Sequence, residues 1–376
     1  MIYLTYADQP SGVYSSQVID VCNFLNESHN AQIRLVSFIS LHSFSKNRQK
    51  IKQEMPSAIV LPMLPRMTSF GFNTLMLFFV LLMLNQRSVI ARNVLATRLA
   101  LRLKSFLKLK VWFDGRGAIA AEWNEYQVVP IQEWKTNIHT WEKSVVLNAD
   151  FRIAVSEELV KYWNVRYGYN ENNHVVIPCT LNTGFRPEML KQEEIEKERQ
   201  KMNFKPDDIV LVYSGSTAGW QSFDLLQGFL QKNLSENKNV KVLFLSEKDK
   251  NVDQLKIVFP DKIFQTFVKH SEVSRILKSC DIGILIREKS VTNQVASPTK
   301  FAEYLSAGLP VIISEGIGDY TSFVQQNDCG WVLDKTSLQL NRLEISARNR
   351  LLQLVIDNFT KKSHNASYTN LIHFMT

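Results

Sequence analysis

The sequence predicts an α/β protein made of two doubly wound, Rossmann-like domains in tandem, and three observations carry that expectation. Short apolar runs alternate with helix-length periodic segments throughout, the pattern of parallel strands joined by crossover helices. At 376 residues the chain is too long for one ordinary core and suits two domains of about 150–200 residues. A highly charged stretch, MLKQEEIEKERQKMNF, separates two such alternating series.

In the first series the strand-like runs are IYLTY (2–6), IRLVSFI (33–39), VIAR (89–92), KVWF (110–113), FRIAV (151–155) and VVI (175–177). Helices are expected near 15–28, 70–85, 94–108, 132–148 and 156–167. The second series runs IVLVYS (209–214), VKVLFLS (240–246), IFQTF (263–267), IGILI (282–286), PVIIS (310–314) and GWVL (330–333). The domain reading is therefore 1–185, a solvent-facing linker at 186–205, 206–350, and a C-terminal helix at 351–376 that crosses back to the first domain.

A hydrophobic content of 45% with 21% charged residues describes a soluble globular chain. The net charge of +8 suits anionic company: nucleic acid, a phosphorylated small molecule or a lipid surface, or else a merely basic exterior. Nucleic acid is disfavoured, because aromatics do not interleave with the basic residues and no reader motif occurs. The four cysteines are far apart without a C-x-x-C pair, as expected of reduced thiols. The opening MIYLTY lacks the basic n-region of a signal peptide, so a cytoplasmic location is expected.

FGFNTLMLFFVLLML (70–84) is the most apolar run; it falls short of the roughly 20 residues a spanning helix needs, and Asn73 interrupts it. It reads as a buried helix or as one that docks on a bilayer. RLALRLKSFLKLK (98–110) sets Arg98, Arg102, Lys104, Lys108 and Lys110 among leucines. That is either a core-facing helix with a basic outer face or a surface for anionic lipid, with Arg98, Arg102 and Lys104 expected to carry the contact.

Ligands of open parallel sheets bind beyond the carboxyl ends of the strands. After the strand 209–214 comes YSGSTAGW, whose Gly215 and Ser216 offer backbone N–H groups to a phosphate or simply make a turn. SPTKFAEYLSAGLPV (297–311) has the marks of a helix: Ser297 as cap, Pro298 as first residue, Gly308 just past the end. Lys300 sits in its first turn, where the helix dipole is positive. An anion such as a pyrophosphate would relieve that conflict, held by Thr299, Lys300 and the free N–H groups, with Arg287 as a second cation and Glu303 reaching ribose hydroxyls. The plain alternative is a Lys300–Glu303 surface ion pair. WFDGRGAIAAEW (112–123) places Asp114, Arg116 and Glu122 around two glycines, as a structural brace or a catalytic loop. No D-x-D, H-E-x-x-H or G-x-S-x-G occurs, so neither a metal–diphosphate carboxylate pair nor a hydrolase nucleophile is expected.

SPTKFAEYLSAGLPVI closely resembles the signature helix of family 4 glycosyltransferases, retaining enzymes with two Rossmann-like domains facing across a cleft (GT-B). VIPCTLNTGFRPE resembles that family's interdomain segment, VYSGSTAGWQSFDLL its first donor-domain loop, and ILKSCDIGILI the helix and strand before the signature. PSGVYSSQVIDVCNFL and WFDGRGAIAAEW resemble versions in enzymes that build bacterial surface polysaccharides. The resemblance implies an acceptor-binding first domain with Gly12 in its cleft loop, and a second domain that binds a nucleotide-sugar donor. Gly215, Ser216, Arg287, Asn293, Ser297, Thr299, Lys300 and Glu303 would line the donor site. Asp114 and Arg116 stand in for a first-domain histidine that has no counterpart. Val295 occupies the position of the first glutamate of the family's pair, which leaves Asn293 or backbone groups of 293–297 to meet the sugar.

The activity so implied is transfer of a sugar, with retention and without metal or cofactor, to a saccharide or lipid-linked acceptor. The expected location is cytoplasmic, peripheral on the inner membrane face. An epimerase of the same fold and a non-catalytic nucleotide-sugar-binding protein are the alternatives.

Overall fold

Seven parallel strands form the first sheet: β1 (Ile2–Tyr6), β2 (Arg34–Ser40), β3 (Ile59–Met63), β4 (Ser88–Arg92), β5 (Lys110–Gly115), β6 (Phe151–Ala154) and β7 (His174–Val176), in the order β3-β2-β1-β4-β5-β6-β7. Six more form the second: β8 (Ile209–Ser214), β9 (Val240–Leu245), β10 (Ile263–Thr266), β11 (Ile282–Leu285), β12 (Val311–Ser314) and β13 (Gly330–Leu333), in the order β10-β9-β8-β11-β12-β13. Both orders run outward from the first strand, then reverse, as in doubly wound dinucleotide-binding sheets. These features come from a computed structural model that describes all residues except 65–66, 130–131, 186–187, 216–220, 334–337, 339 and 375–376.

The chain divides into two units. Unit 1 is Met1–Gly184, Val295–Ser297 and Lys361–Thr376; unit 2 is Phe185–Gln294 and Pro298–Thr360. The core of unit 1 packs Tyr3, Leu35, Ile90, Trp112 and Ile153 from the sheet against Val18, Cys22 and Leu25 from the helical segment after β1. That of unit 2 packs Leu211, Val242, Phe244, Ile284 and Ile312 against Leu226 and Leu230.

Three sequence expectations are corrected. β3 is not among the six strands expected of the first half, because Pro62 and Met63 blunt its signal; as an edge strand it tolerates a residue with no N–H. In the stretch read as a linker, the helix Gln192–Lys201 turns most of its residues to solvent but belongs to unit 2. There the buried Arg199 donates to Asp281 (2.8 Å) and to the carbonyls of Ser279, Lys205 and Asp208. A buried cation engaged at both Nη atoms is a brace, which a composition-based reading counts as surface. Finally, the segment that joins unit 1 begins at Lys361 rather than 351; the helix Ile345–Asn358 stays in unit 2.

The closing helix, Asn365–His373, puts Tyr368 and Leu371 into the unit 1 core, where Tyr368 meets Phe24 at 5.2 Å between ring centroids. Lys361 secures it by an ion pair with Asp20 and by donating to the Leu181 carbonyl (2.9 Å). All four cysteines are free thiols. Among the described residues no helix is long and apolar enough to cross a membrane.

Candidate functional site

In unit 2 the strand order reverses at β8 and β11, and their carboxyl ends carry the candidate site. The helix Thr299–Ser306 is drawn against this edge by Tyr304, whose hydroxyl accepts the Ser214 N–H at 2.9 Å. Close approach depends on Gly283 in β11, where an added Cβ would lie 2.4 Å from the Tyr304 ring. Phe301 and Leu305 are fully buried as their spacing requires, and Phe301 stacks on Tyr320 with centroids 4.4 Å apart. Gly308 follows the helix at φ +71, and Arg348 donates to the Ala307 carbonyl at 2.9 Å, a cation at the negative end of the dipole.

The start of this helix differs from expectation. Pro298 is the cap residue, Thr299 is the first helical one, and among the described residues no side chain caps the turn. Ser297 lies in unit 1, where its hydroxyl accepts the Cys179 N–H at 2.9 Å. A neighbouring bond in unit 1 runs from the Ser156 hydroxyl to the Val295 carbonyl at 2.8 Å, while the same Ser156 oxygen caps the helix Glu157–Tyr167 by accepting from Leu159 N–H. Ser156→Ala is expected to lower unfolding stability by about 1–2 kcal/mol, measured by denaturant titration, because cap and tether are lost together.

Lys300 therefore stands in an uncapped first turn. Its side chain runs over Gly215, at φ +123, so closely that an added Cβ would fall 2.4 Å from Nζ. Nζ lies 4.7 Å from the centre of the Tyr213 ring and donates to Gln221 Oε1 at 3.4 Å. Burial lowers its pKa to about 7; the Arg287 charge pushes the same way and Glu303 opposes both. Arg287 is itself buried just beyond β11, its N–H donating to Ser314 Oγ at 2.9 Å and Nη1 to Asn293 Oδ1 at 3.3 Å. Two cations thus repel each other across a partly dry edge, on the positive end of a helix, with Glu303 as partial compensation for Lys300. This arrangement suits a dianionic ligand.

The structure brings Gly215, Arg287, Thr299, Lys300 and Glu303 together in unit 2. Asn293 is nearby but fully buried, with Oδ1 on Arg287 and Nδ2 donating to the Glu288 carbonyl at 3.1 Å. Through these bonds its side chain braces the 288–293 turn. Ser216 lies outside the described residues. Sequence reasoning missed Tyr213 and Gln221; the only signal for them was their position flanking the glycine loop.

Asp114 and Arg116 are in unit 1, and their contacts fit the structural-brace reading of the two that the sequence left open. Asp114 is completely buried; it accepts from the Tyr3 hydroxyl and from Arg116 Nη2 (3.1 Å), with Arg92 Nη1 at 3.8 Å. The adjoining cavity of about 10 Å³, lined by Ile90, Ile153, Tyr368 and Leu371 among others, has room for one water at most. The group is an internal brace of the sheet. Glu142, unflagged by any motif, accepts from the N–H groups of Ile119 (2.9 Å) and Ala120 (3.3 Å) and so caps the helix Ile119–Glu125 from a distance. Burial pushes its carboxyl up to about 7. Gly12 is exposed at the start of the short helix Gly12–Tyr14, whose first turn Ser11 caps through the Tyr14 N–H (3.2 Å).

Known structures share this architecture over its whole length. The Anabaena protein HepE, solved with UDP, matches with a TM-score of 0.72 at 12% identity, covering 99% of each chain. The fold is GT-B. A glycosyltransferase from Rickettsia africae also matches the GT-B chain described here with a TM-score of 0.72, at 15% identity over 99% of this chain and 97% of its own. A Listeria monocytogenes protein assigned as a UDP-N-acetylglucosamine 2-epimerase matches less closely, with a TM-score of 0.52 at 10% identity over 98% and 90%. No family model and no curated protein matches the sequence.

Proposed function

We propose that this GT-B protein is a retaining, family 4-type glycosyltransferase that takes a sugar from a nucleoside-diphosphate sugar and passes it to a saccharide or lipid-linked acceptor in cell-surface polysaccharide synthesis. The observation that carries the reading is the paired charge of Lys300 and Arg287 at the uncapped start of the Thr299–Ser306 helix. A diphosphate there accepts helix N–H groups and offsets both cations, and Glu303, one turn on, takes the ribose hydroxyls. HepE has been solved with UDP and with UDP-glucose, which supports a nucleotide sugar as the ligand class.

In this reading the chemistry resides in the leaving group. As the sugar–oxygen bond breaks, charge grows on the departing phosphate, and Lys300, Arg287 and the N–H groups are already oriented to receive it. The acceptor hydroxyl attacks the same face and gives its proton to the leaving oxygen, so configuration is retained without a protein nucleophile. The two fixed cations supply the neutralisation that a metal ion supplies elsewhere, and transfer is expected to survive chelators. Unit 1 takes the acceptor, and the protein works at the inner membrane face.

Thermal shift with UDP-, GDP-, CMP- and TDP-sugars tests this. One nucleotide class is expected to stabilise the protein, and Glu303→Ala to weaken that ligand roughly tenfold or more; no shift with any donor rules the site out. Slow hydrolysis of the donor marks a transferase, whereas conversion to an epimeric nucleotide sugar assigns the protein to the isomerases that share the fold.

A further inference from the structure

The helix Phe70–Met83 has two apolar stripes, and only one of them is covered. Phe70, Leu77, Val80 and Leu81 face the interior of unit 1. The opposite stripe, Phe72, Leu75, Phe79 and Leu82, repeats at intervals of three and four residues and is 49–59% exposed, and Met83 beside it is 70% exposed. Phe106, at the end of the helix Asn93–Leu107, is 76% exposed and extends the stripe through Phe78, with ring centroids 5.5 Å apart. A groove of about 230 Å³ runs beside it, lined by Leu81, Leu82 and Phe106 together with Arg87 and Lys108. Scattered apolar residues on a surface need no explanation, but an aligned row of large ones does.

Charge identifies the occupant. Residues 55–113 contain eight lysines and arginines and no aspartate or glutamate; of these Arg87, Arg102 and Lys108 are exposed near the stripe, whereas Arg92 is buried beside Asp8 and Asp114. We propose that the exposed face of Phe70–Met83, with Phe106, inserts into an anionic lipid bilayer, while Arg87, Arg102 and Lys108 bind the headgroups. The helix lies in the plane of the interface, its length and apolar face placing side chains at the acyl boundary. Arg102 is exposed and donates to Thr74 Oγ1 at 3.2 Å, which holds its guanidinium beside the apolar stripe. This revises the sequence expectation for the headgroup contacts. Arg98 lies over the Phe70 and Trp141 rings (5.4 and 4.8 Å), and Lys104 is paired with Asp150 at 2.8 Å, so neither is the principal contact. The inference deepens the membrane placement in the proposed function but needs no nucleotide-sugar chemistry.

Co-sedimentation of the full chain with sucrose-loaded vesicles provides the test. Binding is expected to vesicles of about one part phosphatidylglycerol to three of phosphatidylcholine. It is expected to be weak on pure phosphatidylcholine and to decline as salt is raised to about 0.5 M. Phe79→Glu with Leu82→Glu is expected to lower partitioning at least tenfold, with melting temperature and nucleotide-induced shift unchanged. Arg87→Glu with Lys108→Glu should reduce it on anionic vesicles as well. If the first pair fails to fold, Phe106→Ser at the helix end gives the same reading. The proposal is overturned by wild-type protein that ignores anionic vesicles, or by face variants that bind as well as wild type. It is also overturned if the protein is a dimer that the face variants split and that does not bind lipid, since a second copy is then the occupant. The nucleotide shift in the same samples tells failure of this inference from failure of the transferase reading.

Discussion

Lys300→Met is expected to weaken binding of the nucleotide sugar that stabilises the wild type about a hundredfold while making the ligand-free protein more heat-stable. Both effects have one origin. Burial and the nearby Arg287 hold the ammonium at about 7, against an ordinary lysine value of 10.5. A displacement of that size corresponds to several kcal/mol of unfavourable environment for the charged form. Because the folded pKa is the lower one, the unfolded chain binds more protons between about pH 7 and 10.5. Stability therefore rises with pH through that window, and the lysine's penalty is fully present below it. Methionine removes the penalty, so its advantage over wild type, measured by thermal melts, should be greatest near pH 6–7 and close as pH approaches about 10. Binding has the opposite dependence. A diphosphate raises the ammonium's pKa, so wild-type affinity should be highest below about pH 7 and fall by up to tenfold per pH unit above it. Calorimetry in buffers of different ionisation enthalpy should detect proton uptake on binding at pH 8. A flat wild-type profile would mean that Lys300 does not meet the diphosphate.

Gly215→Ala is expected to cost nearly as much affinity, some tens-fold, without contact between the new methyl group and ligand. The added Cβ would occupy the place of Nζ and Cε of Lys300, 2.4 and 2.5 Å away. Lysine is flexible, so the chain still folds; the side chain leaves its groove and loses its aim. Alanine at φ +123 adds backbone strain of about 1–3 kcal/mol. A double-mutant cycle separates the two effects. With Lys300→Ala already present, Gly215→Ala should change affinity little and reduce stability only by the strain. Additive losses would show that the glycine serves the ligand directly.

The two sheets were legible because strands buried on both faces read as continuous apolar runs. β3 was not, since an edge strand needs neither a continuous run nor a full set of N–H groups. Lys300 was legible as an electrostatic conflict inside a helix, which is local information. What escaped were pairings at long range. Arg199 looks like surface charge until Asp281 is beside it, and Arg98 like a lipid contact until Trp141 is beneath it. Ser297 satisfies every local rule for a cap, yet its hydroxyl is engaged by Cys179. Asp114 and Arg116 show the same limit: the motif alone could not choose between a brace and a catalytic loop, and Tyr3, distant in sequence, shows the pair inside the sheet.

The assignment of Lys361–Thr376 to unit 1 bears on how the molecule is made. Synthesis delivers the seven strands first, but the site that receives Tyr368 and Leu371 stays open until residues 361–376 have been made. Unit 2 is encoded in between, so the amino-terminal unit is completed only after unit 2 has been synthesised, against the usual order of translation. Until then the nascent chain exposes apolar surface to chaperones and proteases. A message truncated after unit 2 would yield a protein whose nucleotide-binding half can fold while its other half remains a target for degradation.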